Sequence, residues 1–368
     1  MKFYRQSWLQ IDLDRLKQNI KTVTEVTGKP LIAVIKANAY GAGDLQIASA
    51  ALEAGAVMLA VSSLDEALSL RLHRISADIL ILGAVDPEDV PVVISHDLIA
   101  TVPSLNWVKQ ASVHSLEGLR VHLKVDTGMN RIGSDDVEEL KQTLAVLVEN
   151  KACVEGIFTH FYSSDQPDNK ACDLQAERFR KAVEALDHKF RWIHCCNSDA
   201  AMHYHDTTGN VVRCGAAIYG FCSYETPLKQ CVSLYSRLVH VKQVEKGETV
   251  SYGATYTAQE KEWIGTLPIG YADGWIRRNQ GRPAWVDGQR CPIVGRVCMD
   301  QMMIRLPHHY PEGTQVELIG DHIPLQEVAR QLDTIPYEVL AILSDRLGKV
   351  YIEKGEILSV SNPRLEHY

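Results

Sequence analysis

The sequence has no apolar run approaching the ~18 residues that a membrane-spanning helix needs. Its longest apolar runs, such as Ile79 to Leu82, suit buried strands instead. The first residues, Met1 to Ser7, hold no apolar stretch of the kind a secretory leader carries, which predicts a cytoplasmic protein. No Cys-x-x-Cys pair occurs among the nine cysteines, and the adjacent Cys195-Cys196 has no further ligands nearby. Reduced thiols and no metal site are therefore expected. An excess of positive charge is also missing. The 38 Lys+Arg against 46 Asp+Glu leave a net −8, without the basic stripe of a nucleic-acid binder. Neither an internal repeat nor a low-complexity segment appears. What remains is a 368-residue chain, 46% hydrophobic and 23% charged. At roughly 100–200 residues per domain, it has material for about two soluble domains.

Two textures divide the chain. Short runs rich in Val, Ile and Leu lie at 31–36, 56–61, 78–82, 98–102, 119–125, 153–159, 192–195 and 211–220. They lack strict alternation, as strands buried on both faces do. Helical patterns separate them. Leu13, Leu16, Ile20 and Val23 share a face that stops at Gly28 and Pro30, and Ser63-Leu64-Asp65-Glu66 reads as a capping box. Eight such strands, each but the last followed by helical sequence, predict an α/β fold, a (β/α)8 TIM barrel over 1–228. After about Leu228 the segments alternate or are β-branched, at 233–244, 248–252, 263–268, 283–286, 292–298, 302–306, 315–319 and 351–360. Asp287-Gly288 stands between two of them as a hairpin turn. Helices are expected only near 325–332 and 337–347, so 229–368 reads as a mainly β C-terminal domain.

A barrel of this kind builds its site at the C-terminal ends of its strands. Ionisable residues gather there: Lys36 closes the first run, Lys124 and Asp126 the fifth with Arg131 just beyond, His160 the sixth and His194 the seventh. Arg213 lies in the eighth. A lysine at the end of a buried strand is costly when charged, which suits Schiff-base chemistry. Taken singly, each lysine reads as snorkelling or paired with a carboxylate. Asn197-Ser198 and Gly215-Ala216 fall at the last two βα turns, the usual phosphate position in this fold.

These residues carry a resemblance to the bacterial alanine racemases. In order along the chain stand AVIKANAYGAG at 33–43, HLKVDTGMNRIG at 122–133, EGIFTHF at 155–161, HCCNSDA at 194–200 and VRCGAAIYG at 212–220. VSYGATYTA at 250–258, PIGYADGW at 268–275 and VGRVCMDQ at 294–301 follow, so the likeness spans the whole chain. It implies a homodimer with shared active sites that interconverts L- and D-alanine using pyridoxal 5'-phosphate, supplying D-alanine for peptidoglycan. Lys36 matches the lysine that holds the cofactor as an aldimine and acts as one base. Tyr252 matches the second base, delivered by the partner subunit, although alone it reads equally as a strand tyrosine. Two bases on opposite faces of Cα allow inversion without moving the substrate, and the cofactor delocalises the charge.

The resemblance assigns further roles. Tyr40, Ser198, Gly215, Ala216 and Tyr337 match cofactor-phosphate contacts, Asn197 and His194 residues around its ring, and Arg213 the arginine facing its pyridine nitrogen. His160 joins Arg213 in a relay to the tyrosine base. Arg131 and the backbone at Met299, with Asp300 beside it, match substrate-carboxylate contacts; Tyr271 and Tyr256 match tyrosines along the access path. Lys124 matches a lysine often carbamylated. The chain departs from the family at Ala42 (usually His), Asn130 (usually Gly) and Pro336 (usually Asn), none of them an acid, base or cofactor contact. The alternative is a serine or broad-range amino-acid racemase of the same fold. Serine-preferring relatives tend to replace the tyrosine at Tyr337. Two further rivals are a basic-amino-acid decarboxylase, for which no glycine triplet is present, and a single-barrel cofactor carrier, for which 229–368 is superfluous.

Overall fold

A computed structural model of the chain describes residues 4–204 and 208–365. They divide into two compact units. One comprises Leu16–Ala39 and Asp44–Lys229; the other comprises the described residues up to Arg15, Tyr40–Gly43, and those from Gln230 onward. Two segments that the sequence reading assigned to the barrel, the N-terminal one and Tyr40–Gly43, thus sit in the β unit. The first carries strand β1 (Ser7–Asp12), which pairs antiparallel with Val232–Arg237 and parallel with Gly348–Glu353. Its Leu9 opposes both Leu234 and Lys349. Such partners more than two hundred residues away leave no local trace in the sequence.

The barrel unit holds the eight expected strands: β2 (Leu31–Val34), β3 (Met58–Val61), β4 (Ile79–Ala84), β5 (Ile99–Val102), β6 (Arg120–Lys124), β7 (Cys153–Phe158), β8 (Trp192–His194) and β9 (Val212–Cys214). They pair in parallel in chain order, and β9 returns to pair with β2. Between the last two runs, Asn210 N donates to Ile193 O at 2.8 Å and Arg213 N to Cys196 O at 3.1 Å. Ile32, Val34, Met58, Ala60, Leu80 and Ile99 form a buried cluster on these strands. Their spacing of two places alternate residues inside, as a pleated strand requires. Helices follow the strands, and Leu16, Ile20 and Val23 of the Leu13–Thr27 helix are fully buried. Gly28, at φ +62°, ends that helix in the left-handed conformation. The last expected run is shorter than read: it is strand only over Val212–Cys214, then turns into a 3-10 helix at Ala216–Tyr219.

The β unit is built on a ten-stranded sheet. Its order is His240–Val244, Glu262–Leu267, Met302–Leu306, Gln289–Val294, Pro283–Val286, Gln315–Ile319, Val232–Arg237, β1, Gly348–Glu353 and Glu356–Ser361. The segment read as continuous over 233–244 is two strands. Asp287 and Gly288 take φ +40° and +86°, so the Asp-Gly pair makes its hairpin between Pro283–Val286 and Gln289–Val294. The second expected helix is cut short at Pro336–Ala341, after which Ser344 N donates to the carbonyl of Asp273. Pro336 occupies the first turn of that helix, where a missing N–H costs nothing.

Tyr40–Gly43 is pinned within this unit. The Tyr351 hydroxyl, fully buried, donates to Ala42 O at 2.8 Å, and the Tyr40 and Tyr337 rings meet edge-on at 6.4 Å. Gly43 has φ +95°, and a Cβ there would collide with the Tyr351 hydroxyl. Gly43→Ala should therefore lower stability by about 2–4 kcal/mol, from overpacking plus the left-handed penalty. Chemical denaturation checks this; an unchanged midpoint would contradict the packing described.

Candidate active site

Lys36 follows β2, half-buried, at the mouth of the barrel. Burial is the largest influence on its amine and pushes the pKa down; neighbouring Arg131 adds to this, while Glu66 opposes it. The backbone after it is unusual. Ala37, Asn38, Ala39 and Tyr40 all have φ between +52° and +55°, a left-handed turn costing roughly 1–2 kcal/mol per residue. Its anchors are side chains. Glu66 accepts from Ala37 N at 2.8 Å, and Asn38 Oδ1 accepts from Asp44 N at 3.0 Å. The capping box is consequently only half formed. Ser63 caps Glu66 N at 3.4 Å, but the Glu66 carboxylate turns to Ala37 N and Ser62 N instead of the cap. Sequence pattern gave Glu66 only that local role.

Lys124 closes β6, 3% exposed, with Nζ donating to Val125 O at 2.6 Å. Burial brings its amine down to about 8. The next loop folds back, with Asp126 N donating to Ser134 O. The Asp126 carboxylate receives Gly128 N at 2.9 Å and Asn130 N at 3.1 Å. Asn130 sits at φ +56°, where asparagine is among the best-tolerated non-glycine residues, so this departure preserves the loop that carries exposed Arg131.

Arg213, 4% exposed, is the electrostatic centre of the barrel mouth. It donates to His194 Nδ1 at 2.7 Å, Thr159 O at 2.8 Å, His160 Nδ1 at 3.2 Å and Cys195 O at 3.4 Å. None of these is an anion. Burial brings its pKa to about 10, so it stays charged near neutrality. Because a guanidinium only donates, His194 Nδ1 must accept, leaving its proton on Nε2. That nitrogen lies 2.9 Å from His122 Nδ1, which must accept in turn. His160 is likewise left with its proton on Nε2. Burial, reinforced by Arg213, holds His160 and His194 well below the usual histidine range. His122 is brought down to about 3, with burial the largest cause. His122 had no role in the sequence reading, although its spacing of two from Lys124 puts both on one strand face.

The last two βα turns are tied together: Ser198 Oγ accepts from Ala217 N at 3.0 Å, next to Gly215 and Ala216. Asn197 caps the Ser198–His203 helix. Its Oδ1 accepts from Ala200 N and Ser164 Oγ, and its Nδ2 donates to Phe161 O.

The remaining candidates lie in the β unit. A cavity of about 500 Å³ is lined by Ser251, Tyr252, Cys298, Met299, Asp300 and Gln301. Tyr252 is 71% exposed, on a turn where Ser251, Gly253 and Ala254 all take positive φ. Ser251 Oγ anchors that turn by donating to Arg296 O at 2.6 Å. Tyr271 joins the wall through its backbone, donating to Cys298 O at 3.0 Å. Tyr256 is directed elsewhere: its hydroxyl donates to buried Glu262 at 2.5 Å. None of the nine cysteines is joined in a disulfide, and among the described residues no cluster of His, Cys, Asp or Glu could hold a metal. Among the described residues no helix is long and apolar enough to cross a membrane.

The buried neutral histidines set an acid limit. In the unfolded chain they take up protons below about 6.5, whereas the folded chain resists until well below that. Stability from this source is full above the unfolded value and falls as pH drops beneath it. The thermal midpoint should decline below about pH 6.5, and His122→Asn should flatten the slope by removing one such proton. An equal slope in the variant would contradict the assignment.

The family model for the N-terminal domain of alanine racemase matches residues 11–223, and that for the C-terminal domain matches residues 231–351. The chain is 44% identical over 379 aligned residues to alanine racemase 1 of Bacillus subtilis, covering 99% of this chain and 97% of that one. A crystal structure of alanine racemase from Bacillus anthracis with bound L-Ala-P superposes with a TM-score of 0.94 at 39% identity, covering both chains fully. A histidine racemase from Leuconostoc mesenteroides subsp. sake superposes at 0.90 with 29% identity, over 96% of this chain and 99% of that one. With both domain models matched and relatives aligned end to end, the chain belongs to the alanine racemase family of pyridoxal-phosphate-dependent isomerases.

Proposed function

We propose that the protein interconverts L-alanine and D-alanine, using pyridoxal 5'-phosphate on Lys36, in the cytoplasm and for peptidoglycan synthesis. The observation that carries the reading is Lys36: a half-buried amine with a lowered pKa, just after a barrel strand and within electrostatic reach of Arg131 and His160. Only a neutral amine is nucleophilic. The residues fit the cofactor chemically. Ser198 with the backbone at Gly215 and Ala216 would hold its phosphate, together with Tyr40 and Tyr337; Arg213 would face its ring nitrogen, with His194 and Asn197 nearby. When bound, the cofactor would supply an electron sink for the charge left on Cα.

The chain's own residues do the rest. Lys36 would serve one face of Cα. Tyr252 of the partner subunit would serve the other, which makes the active species a homodimer. The 71% exposure of this tyrosine in a single chain supports a partner surface for it. An ordinary phenol, with a pKa of about 10, is a poor base at neutral pH. His160, its Nδ1 occupied by Arg213, would offer Nε2–H to the phenol oxygen. Arg131 and the backbone at Met299 would receive the substrate carboxylate, with Asp300 beside them. Tyr271 would border the access path.

A racemase acting on a larger amino acid is the second reading, favoured by the likeness to a histidine racemase. Tyr337, edge-on to Tyr40, supports the smaller substrate. Incubation with L-alanine, L-serine and L-histidine followed by chiral separation decides between them. D-Alanine should form fastest, and none forming would overturn the proposal. Lys36→Ala and Tyr252→Ala chains, each inactive alone, should regain partial activity when mixed and allowed to exchange. No recovery would count against shared sites.

Lys124 supports a further expectation. Its amine, at about 8 in place of the usual 10.5, becomes neutral in the range where dissolved carbon dioxide can add to it. Because the value is lowered, the neutral fraction grows as pH rises through 8. With labelled bicarbonate, a carbamate carbon signal should appear between about pH 7 and 9 and be missing from Lys124→Ala. An identical signal in that variant excludes this site.

A further inference from the structure

We propose that Arg5 is a positioning residue for the Met299–Asp300 loop, acting through the buried carboxylate of Asp273. The inference rests on the reading above that this loop receives the substrate carboxylate. Asp273 is completely buried, and a fold retains a buried charge only where it is paired and hydrogen-bonded. Its Oδ2 accepts from Arg5 Nη2 at 2.6 Å and from Gly270 N at 2.9 Å, and Arg346 Nε lies 3.5 Å from Oδ1. The pairing has a geometric consequence. Asp273 closes the turn 270–274, and that turn is stitched to the cavity wall by Tyr271 N to Cys298 O and Ala272 N to Met299 O, each 3.0 Å. Gly270 leaves no room for a side chain against the carbonyls of Cys298 and Met299.

Arg5 spans three segments with one planar group. Its Nε donates to Pro268 O at 3.0 Å, while Nη2 reaches both Asp273 and Asp300 O at 3.2 Å. Arg346 Nη2 holds the Asp300 side chain at 2.6 Å. Asp300, a lining residue of the cavity, is thus gripped at its carbonyl by Arg5 and at its carboxylate by Arg346. The neighbouring Ser7 hydroxyl also donates to Pro268 O, at 3.1 Å, which fixes the end of β1 to the same loop. A lysine at position 5 keeps the charge but loses the planar fork whose Nε and Nη2 serve Pro268, Asp273 and Asp300 in fixed directions.

The test uses full-length Arg5→Lys and Arg5→Met. Steady-state kinetics with alanine are measured alongside hydrogen exchange of the Tyr271 and Ala272 amides. The proposal predicts a KM raised about tenfold with kcat changed by less than about twofold, since carboxylate binding is loosened and the bases are untouched. Exchange at Tyr271 and Ala272 should accelerate while β1 amides keep their protection. A fall in thermal midpoint and active fraction with KM unchanged would mean a merely structural residue, and overturns the proposal. If Arg5→Met does not fold, Arg5→Lys decides: a wild-type KM with unaltered exchange refutes the clamp. Should the wild-type protein make no D-amino acid, the functional reading fails, and the exchange result still decides whether Arg5 holds the loop.

Discussion

A guanidinium taken out of water governs the barrel mouth. Arg213 cannot accept a proton bond and does not lose its own, so each group it touches must present a lone pair. His194 and His160 both turn a bare Nδ1 toward it, and His122 is set by His194 in turn. Proton positions in three histidines therefore follow from one residue in the last barrel strand. Burial keeps those rings neutral and lowers the Lys124 amine, and the same cation reinforces both effects. Phe158 completes the arrangement, stacked on His194 and lying 5.3 Å from the Arg213 guanidinium and 5.6 Å from Lys124 Nζ. An apolar floor with fixed donors costs no reorganisation when charge develops above it, which is where electrostatic catalysis gains most.

The fold accepts strain where chemistry is expected. Four successive left-handed residues follow Lys36, and positive φ recurs around Tyr252. Neither segment is held by backbone pairing alone. Glu66 and Asn38 fasten the first, and Ser251 the second. Strain of this kind persists only where the surroundings over-determine it. Polar side chains do that work here, and the apolar cores of each unit supply the rigid frame.

Much of this was legible in the sequence. The eight barrel runs, the ionisable residues at their ends and the Asp287-Gly288 hairpin all follow from local pattern, because each is set by neighbours within a few residues. What was not legible depends on distant partners. β1 is a six-residue strand, buried over its first three residues, that would fit many sheets, and only its register with Val232–Arg237 and Gly348–Glu353 assigns it to the β unit. Glu66 looks like a helix cap until Ala37 N is seen to claim its carboxylate. His122 was hidden by its motif, since a histidine two residues before a lysine carries no hint of a second imidazole two strands away. Arg5 lies 268 positions from the carboxylate it pairs with. Asn130 shows the converse: a departure from the family pattern that the backbone absorbs at φ +56°.

The central claim is that two bases, Lys36 and Tyr252, work on opposite faces of one carbon. Racemisation of L-alanine in deuterium oxide tests it most directly, by mass analysis of D-alanine isolated in the first turnovers. With two bases the incoming proton is drawn from a group that has exchanged with solvent, so the first D-alanine should carry deuterium at Cα. First-turnover D-alanine that retains its original Cα proton would mean that a single base returns the proton it removed, and would contradict the account.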